Sequence, residues 1–172
     1  GANSQIKIGD RYAGGIVFHL DGNGGGLIAA PSDYISVMPP FSLYHKWSDN
    51  QALFSGTIDR TGIGTGHQNT KDIIAVAEPS GAWTAAHIAT QYEIYSDWFL
   101  PSKDELNLMY FYIGQGSLLG NIGGFAENYY WSSTEEGAYG AWRQDFKRGD
   151  QEGGGKGDPY GDLGLVRAVR AF

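Results

Sequence analysis

The chain has 172 residues, a formal net charge of −7, 41% hydrophobic and 14% aromatic residues. That length suits one domain with a sizeable core, and the acidic balance excludes the basic footprint that nucleic acid or an anionic membrane surface requires. The absence of cysteine removes disulfides, thiolate metal sites and cysteine nucleophiles, and no run approaches the roughly 18 apolar residues of a membrane span. A soluble chain that neither binds nucleic acid nor inserts into a membrane is expected.

In chain order, "GGIVFHLDGNGGGLIAA" places two apolar runs around a glycine-rich turn and predicts a β-hairpin. Its Asp21 opens like a calcium loop, but the fifth position is Gly25 and no glutamate closes it, so a tight turn is expected. From Ala30 to Gly66, proline, serine and aromatic residues without periodicity predict long loops. "GTGHQNT" has glycines before a helix but neither the lysine of a phosphate loop nor the preceding strand of a dinucleotide site. "NTKDIIAVA" predicts a short helix. "WTAAHIATQY" predicts another, with Ala85, Ile88, Ala89 and Tyr92 on one face.

The clearest helix start is "LPSKDEL", where Ser102 and Glu105 form a capping box ahead of Leu106, Met109, Tyr110 and Ile113 on one face. Asp104 and Glu105 are therefore read as capping groups rather than a catalytic pair. "YYWSS" and "AWRQDF" read as strands, the latter with Trp142, Gln144 and Phe146 inward and Arg143, Asp145 and Lys147 outward. Trp98, Trp131 and Trp142 are expected to be mostly buried. From Gly137 to Gly164 inclusive there are nine glycines, read as a loop, before the closing strand "LVRAVRAF". Arg167 and Arg170 fall on opposite faces of that strand and are read as structural ion-pair partners. The fold class is α+β, with two or three helices segregated from a small twisted antiparallel sheet.

No enzyme emerges. His19, His45, His67 and His87 never fall at metal-ligand spacing, and no serine sits in a nucleophile elbow. No cofactor or metal is expected.

Together, "SDWFLPSKDELNLMY", "NYYWSSTE", "AWRQDF" and "VRAVRAF", with "GGIVFHLD", "GLIAAPSD" and "GIGTGHQNTKDI" upstream, resemble a bacterial and viral family. It is the family that includes the C-terminal domain of collagen-like adhesins. The resemblance covers nearly the whole chain, in order, and implies one C-type lectin-like domain over residues 1–172, of the subgroup related to formylglycine-generating enzymes. Those enzymes work through cysteines, and this chain has none, so their activity does not carry over.

A narrower resemblance is to the variable proteins of diversity-generating retroelements, in which adenine-directed errors rewrite the 3′ end of a gene. Over a variable region of about 130–172, the chain matches a template pattern "NNAW.Q.FNNGNQNNNNKNNN" followed by "VRAVRAF". Ala141, Trp142, Gln144, Phe146, Gly149, Gln151 and Lys156 occupy its fixed letters. Its slots hold Gly137, Tyr139, Gly140, Arg143, Arg148, Asp150, Gly153, Gly154, Gly155, Gly157, Asp158, Pro159 and Tyr160. Each of these residue types is reachable from an asparagine codon by changing adenines alone; Lys147 and Glu152 depart from the scheme.

The resemblance implies a ligand-binding protein that displays exposed, interchangeable residues on a rigid scaffold, as antibody loops do. Its partner would be a protein or cell-surface ligand, and its location a cell surface or virion. Tyr139, Arg143 and Tyr160 are the expected anchors, with Arg148, Asp150 and Asp158 around them. The alternative is a fixed-specificity adhesin or glycan-binding domain, for which Lys147 and Arg148 would form a local basic patch.

Overall fold

The computed structural model describes residues 5–36, 42–93, 97–157 and 161–172. The chain runs β1 (Arg11–Tyr12), β2 (Gly15–Leu20), β3 (Gly26–Ala29), α1 (Gly66–Ala77), α2 (Ala85–Thr90), α3 (Lys103–Ile113), β4 (Tyr129–Glu135), β5 (Gly140–Asp145), β6 (Gln151–Gly155) and β7 (Val169–Ala171). Among the described residues this is α+β, with three α-helices and two antiparallel sheets where the sequence suggested one.

The first sheet has the order β1-β2-β3-β7. Its centre is the expected hairpin, paired from Ile16↔Ala29 to Leu20↔Gly26 with an irregularity between Val17 and His19. The aspartate of the turn closes the hairpin: Asp21 Oδ1 accepts the N–H groups of Asn23 and Gly25 at 2.7 and 3.0 Å. β7 then pairs with β3, Ile28 opposite Arg170, so the end of the chain returns to the hairpin as expected. Val17, Phe18, Ile28 and Ala29 are fully buried there.

The second sheet has the order β4-β5-β6, and β6 corrects the reading of residues 151–155 as loop. Glycine disfavours strands through its entropy and missing side chain. Here the exposed edge of β5 imposes the pairing, and close neighbours demand glycine. A Cβ on Gly154 would approach the Arg143 side chain to 2.8 Å and the Trp131 ring to 2.9 Å. The tail is therefore a strand whose side chains have been removed to make room for those of β4 and β5.

α3 begins with the complete capping box and buries Leu106, Met109, Tyr110 and Ile113, as their spacing requires. α1 starts at Gly66, three residues earlier than the periodicity suggested, because the buried Glu105 carboxylate caps the approach to it. Glu105 Oε1 accepts the N–H groups of Gly64 and Gly66 at 2.8 and 3.4 Å, and Oε2 accepts that of Ser102 at 2.6 Å. The glycines of "GTGHQNT" thus donate to a carboxyl group that the protein itself supplies, one whose pKa burial raises. α2 is short; Thr84 caps it and Tyr92 is buried beyond its end.

Two apolar clusters share β4. Trp131 enters one with Trp47, Trp98, Val17 and Ile28, while Tyr130 enters the other with Phe18, Phe125, Phe146 and Leu106. Arg167 is a polar keystone: Nε donates to Asp33 at 2.8 Å, Nη1 to the carbonyls of Ala30 and Gly123, and Nη2 to that of Gly124. Arg170 pairs with Asp97 on the other side, so both arginines fasten the C-terminal segment.

Candidate functional site

The residues matched to the template sit on or beside β5 and β6, and strand alternation sorts them. Trp142 and Gln144 turn towards α3, with Phe146 just beyond the strand. Gln144 Nε2 donates to Asn107 Oδ1 at 2.8 Å and to the Gly149 carbonyl at 3.0 Å, and Gln151 Nε2 donates to the Lys103 carbonyl at 2.7 Å. Gln144 and Phe146 are fully buried. Trp142 corrects the burial expectation: it is half-buried, with the Lys103 ammonium 3.5 Å from its ring centre.

On the opposite face, Arg143 and Asp145 do not project into solvent as alternation alone suggested. The Arg143 side chain is only 13% exposed. Its guanidinium lies 4.0 Å over the Tyr129 ring, donates to Glu152 Oε1 at 2.9 Å and sits 3.8 Å from Asp162. Arg143 lies flat because Gly154 vacates the space beside it. Its Nε is buried without a hydrogen-bond partner among the described residues. The Tyr129 hydroxyl is held above its ordinary pKa, first by desolvation and then by the Glu152 charge.

Asp145 is buried because it builds the turn into β6. Its Oδ1 accepts the Lys147 N–H at 2.8 Å and its carbonyl accepts that of Gly149 at 2.6 Å. Gly149, a fixed letter, has φ +90° there, and a Cβ would meet the Tyr110 ring at 2.5 Å, so glycine is required twice over.

Lys156, another fixed letter, is fully buried at the end of β6. Its ammonium donates to Glu135 Oε1 at 3.2 Å and to the carbonyls of Gly137 and Ala138 at 2.7 and 3.1 Å. Burial lowers its pKa, and the Glu135 charge opposes that shift. The lysine thereby holds the β4–β5 turn that presents Tyr139.

Among the slots, Tyr139 is 75% exposed, the Arg148 and Asp150 side chains 65% and 71%, and Gly153 is exposed. Gly137 and Gly155 are half-buried, and Gly140, Gly154 and Gly157 are buried. A side chain on Gly140 would reach the Glu136 carboxylate, and one on Gly157 would run into the Ser48 carbonyl. Asp158, Pro159 and Tyr160 lie outside the described residues. The exposed slots therefore lie before β5 (Tyr139), after it (Arg148 and Asp150) and on β6 at Gly153, which pairs with Trp142 on the face away from the paired Arg143.

Three participants escaped the sequence reading. Tyr129 was findable, because it alternates with Trp131 and must share the face of Arg143. Asp162 and Glu136 carried no local signal, since only the tertiary path brings them to β6.

The arrangement offers aromatic faces, paired charges and open backbone across a shallow surface, which suits recognition. A separate groove of 570 Å³, lined by Ile6, Leu20, Gly25 and Phe172, belongs to the first sheet.

No family model matches the chain, and no curated protein matches it. Among solved structures, it is similar to a fimbrial protein from Bacteroides ovatus ATCC 8483, at 14% identity and a TM-score of 0.52. The likeness covers 86% of this chain and 36% of that one, so the chain spans about a third of the fimbrial protein, and it is a likeness of fold. Among the described residues no helix is long and apolar enough to cross a membrane.

Proposed function

We propose that this is a surface-displayed, non-catalytic recognition domain of C-type lectin-like fold, the variable protein of a diversity-generating retroelement. Its binding face is the β5–β6 surface with the β4–β5 turn. One observation carries the reading: residues at the template's fixed letters are anchored, whereas several of its slots are open. Gln144, Phe146 and Lys156 are fully buried, and Tyr139, Arg148, Asp150 and Gly153 face solvent. A binding surface that must accept many side chains needs that division, because exposed substitutions usually shift stability by about 0.5 kcal/mol or less. The fimbrial fold neighbour agrees with display at a surface.

A fixed-specificity adhesin is the second reading, and four slots favour it. Arg143, Gly140, Gly154 and Gly157 are packed against neighbours in ways that restrict replacement.

The test is a substitution library at Tyr139, Arg148, Asp150 and Gly153, probed with a model protein such as lysozyme, alongside a glycan array of the parent. The proposal expects most members to fold, some to acquire binding to the model protein, and a silent array. Widespread unfolding would contradict it. So would robust binding of one glycan class that is lost when Lys147 and Arg148 are replaced.

A further inference from the structure

β6 is an edge strand, and the hydrogen-bond parity shows which of its residues face outward. The Asp145 N–H donates to the Asp150 carbonyl and the Lys156 N–H to the Tyr139 carbonyl, both at 2.9 Å. Even-numbered residues therefore turn their backbone groups towards β5, and Gln151, Gly153 and Gly155 turn theirs away. At Gly155 both outward groups are taken by one residue. Its N–H donates to Asp162 Oδ2 at 2.7 Å, and its carbonyl accepts the Asp162 N–H at 2.9 Å.

The next outward position is Gly153. It is exposed, and its N–H and carbonyl have no partner among the described residues. Natural edge strands are guarded by proline, lysine, bulges or a covering segment, and the run Gly153–Gly155 carries no side chain to guard this one. Gly153 stands directly opposite Trp142, and the Glu136 carboxylate lies 3.0 Å from where a Cβ on it would be, so a residue on an added strand would meet that carboxylate. Around this edge stand the carboxylates of Glu136, Glu152, Asp162 and Asp150, against the guanidiniums of Arg143 and Arg148. Arg143 is already paired with Glu152 and Asp162, and Arg148 with Asp150, so four carboxylates face two cations that are both paired.

We propose that the recognition surface takes its partner as an extended basic peptide segment, which adds to β6 as a fourth strand and continues the pairing that Asp162 begins. The backbone groups of Gly153 supply affinity, and the acidic rim supplies preference, the mode of β-strand addition. This rests on the reading of the β5–β6 surface as a binding face.

The test selects binders from a displayed library of random linear peptides and measures their affinity for the parent, Gly153→Pro and Gly153→Ala. Proline removes the outward N–H without touching the β5 ladder, whereas alanine keeps it. Enriched peptides are expected to be basic. Gly153→Pro should weaken them roughly tenfold, the worth of one or two hydrogen bonds, with Gly153→Ala close to the parent. N-methylation along the peptide, which needs no protein variant, should abolish binding at every second residue.

Binders that tolerate both Gly153→Pro and N-methylation but are lost on Tyr139→Ala with Arg148→Ala would overturn the strand-addition proposal and leave the binding face standing. Binders indifferent to all of these changes, or no binders from any library, would overturn both. A concentration-dependent dimer abolished by Gly153→Pro would overturn the peptide proposal in favour of edge pairing between two copies.

Discussion

The two sheets of this molecule are held together by different physics. In the first, Val17, Phe18, Ile28 and Ala29 are fully buried and the hairpin needs one aspartate to close its turn. In the second, β6 contributes three consecutive glycines and almost no apolar surface, so its place is fixed from outside. Lys156 clamps one end, Asp145 and Gly149 build the other, and Gln144 and Gln151 bind the strand pair to α3. A sheet built on side-chain burial resists change at its side chains. One built on polar anchors at its ends leaves Gly153 of its outer strand exposed, while the adjacent Gly154 stays packed against Arg143 and Trp131.

The largest expected effects break either sheet by its own mechanism. Phe18→Ala should cost about 3–5 kcal/mol through the cavity it leaves. Lys156→Ala should cost a similar amount, about 3–5 kcal/mol, for a different reason, since it strands the buried Glu135 and two carbonyls. Denaturant titrations of both variants measure this. Replacing Glu135 and Lys156 together with apolar residues sharpens the contrast: much of the stability should return, while the turn carrying Tyr139 loses its tether.

Gly154→Ala should come next, at about 1–3 kcal/mol from overpacking. It should also lift Arg143 off Tyr129, detectable as faster modification of Arg143 by an arginine reagent. An unchanged modification rate would mean that the glycine does not hold the arginine down.

Acidification offers a gentler probe. Burial holds the imidazoles of His45 and His87 below their ordinary pKa. Below about pH 6.5 the unfolded chain therefore binds more protons than the folded one. Stability is full above that pH and is lost as pH falls through the folded values. A melting series from roughly pH 5 to 7.5 should show this loss, and His45→Gln should flatten part of it. The smallest effects belong to Tyr139→Ala, Arg148→Ala and Asp150→Ala, each about 0.5 kcal/mol or less by melting temperature.

What was legible in the sequence follows the same division. The hairpin, the capping box and its helix face, the strand at Trp131 and the returning strand at Val169 all announce themselves through local pattern, and all are found. β6 was not legible, because a glycine run has no periodicity and pairs only on account of its neighbours. For the same reason, strict alternation misplaced Arg143 and Asp145. It foresees which face a side chain leaves from, but not that Tyr129, Glu152 and Asp162 will gather over Arg143. Glu105 was readable as a helix cap, yet its second role, holding the loop before α1, depends on a contact 41 residues away in sequence.

The measurement that tests the proposed variability most directly is the sequence of the gene's own locus and of sister genomes. If the variable-protein proposal holds, a near copy of the segment encoding about residues 130–172 lies beside a reverse-transcriptase gene. That copy should differ almost only at adenines, with variation confined to the thirteen slots and with Trp142, Gln144, Phe146, Lys156 and the closing strand constant. Differences spread evenly over all four bases, or the absence of any second copy, would contradict it.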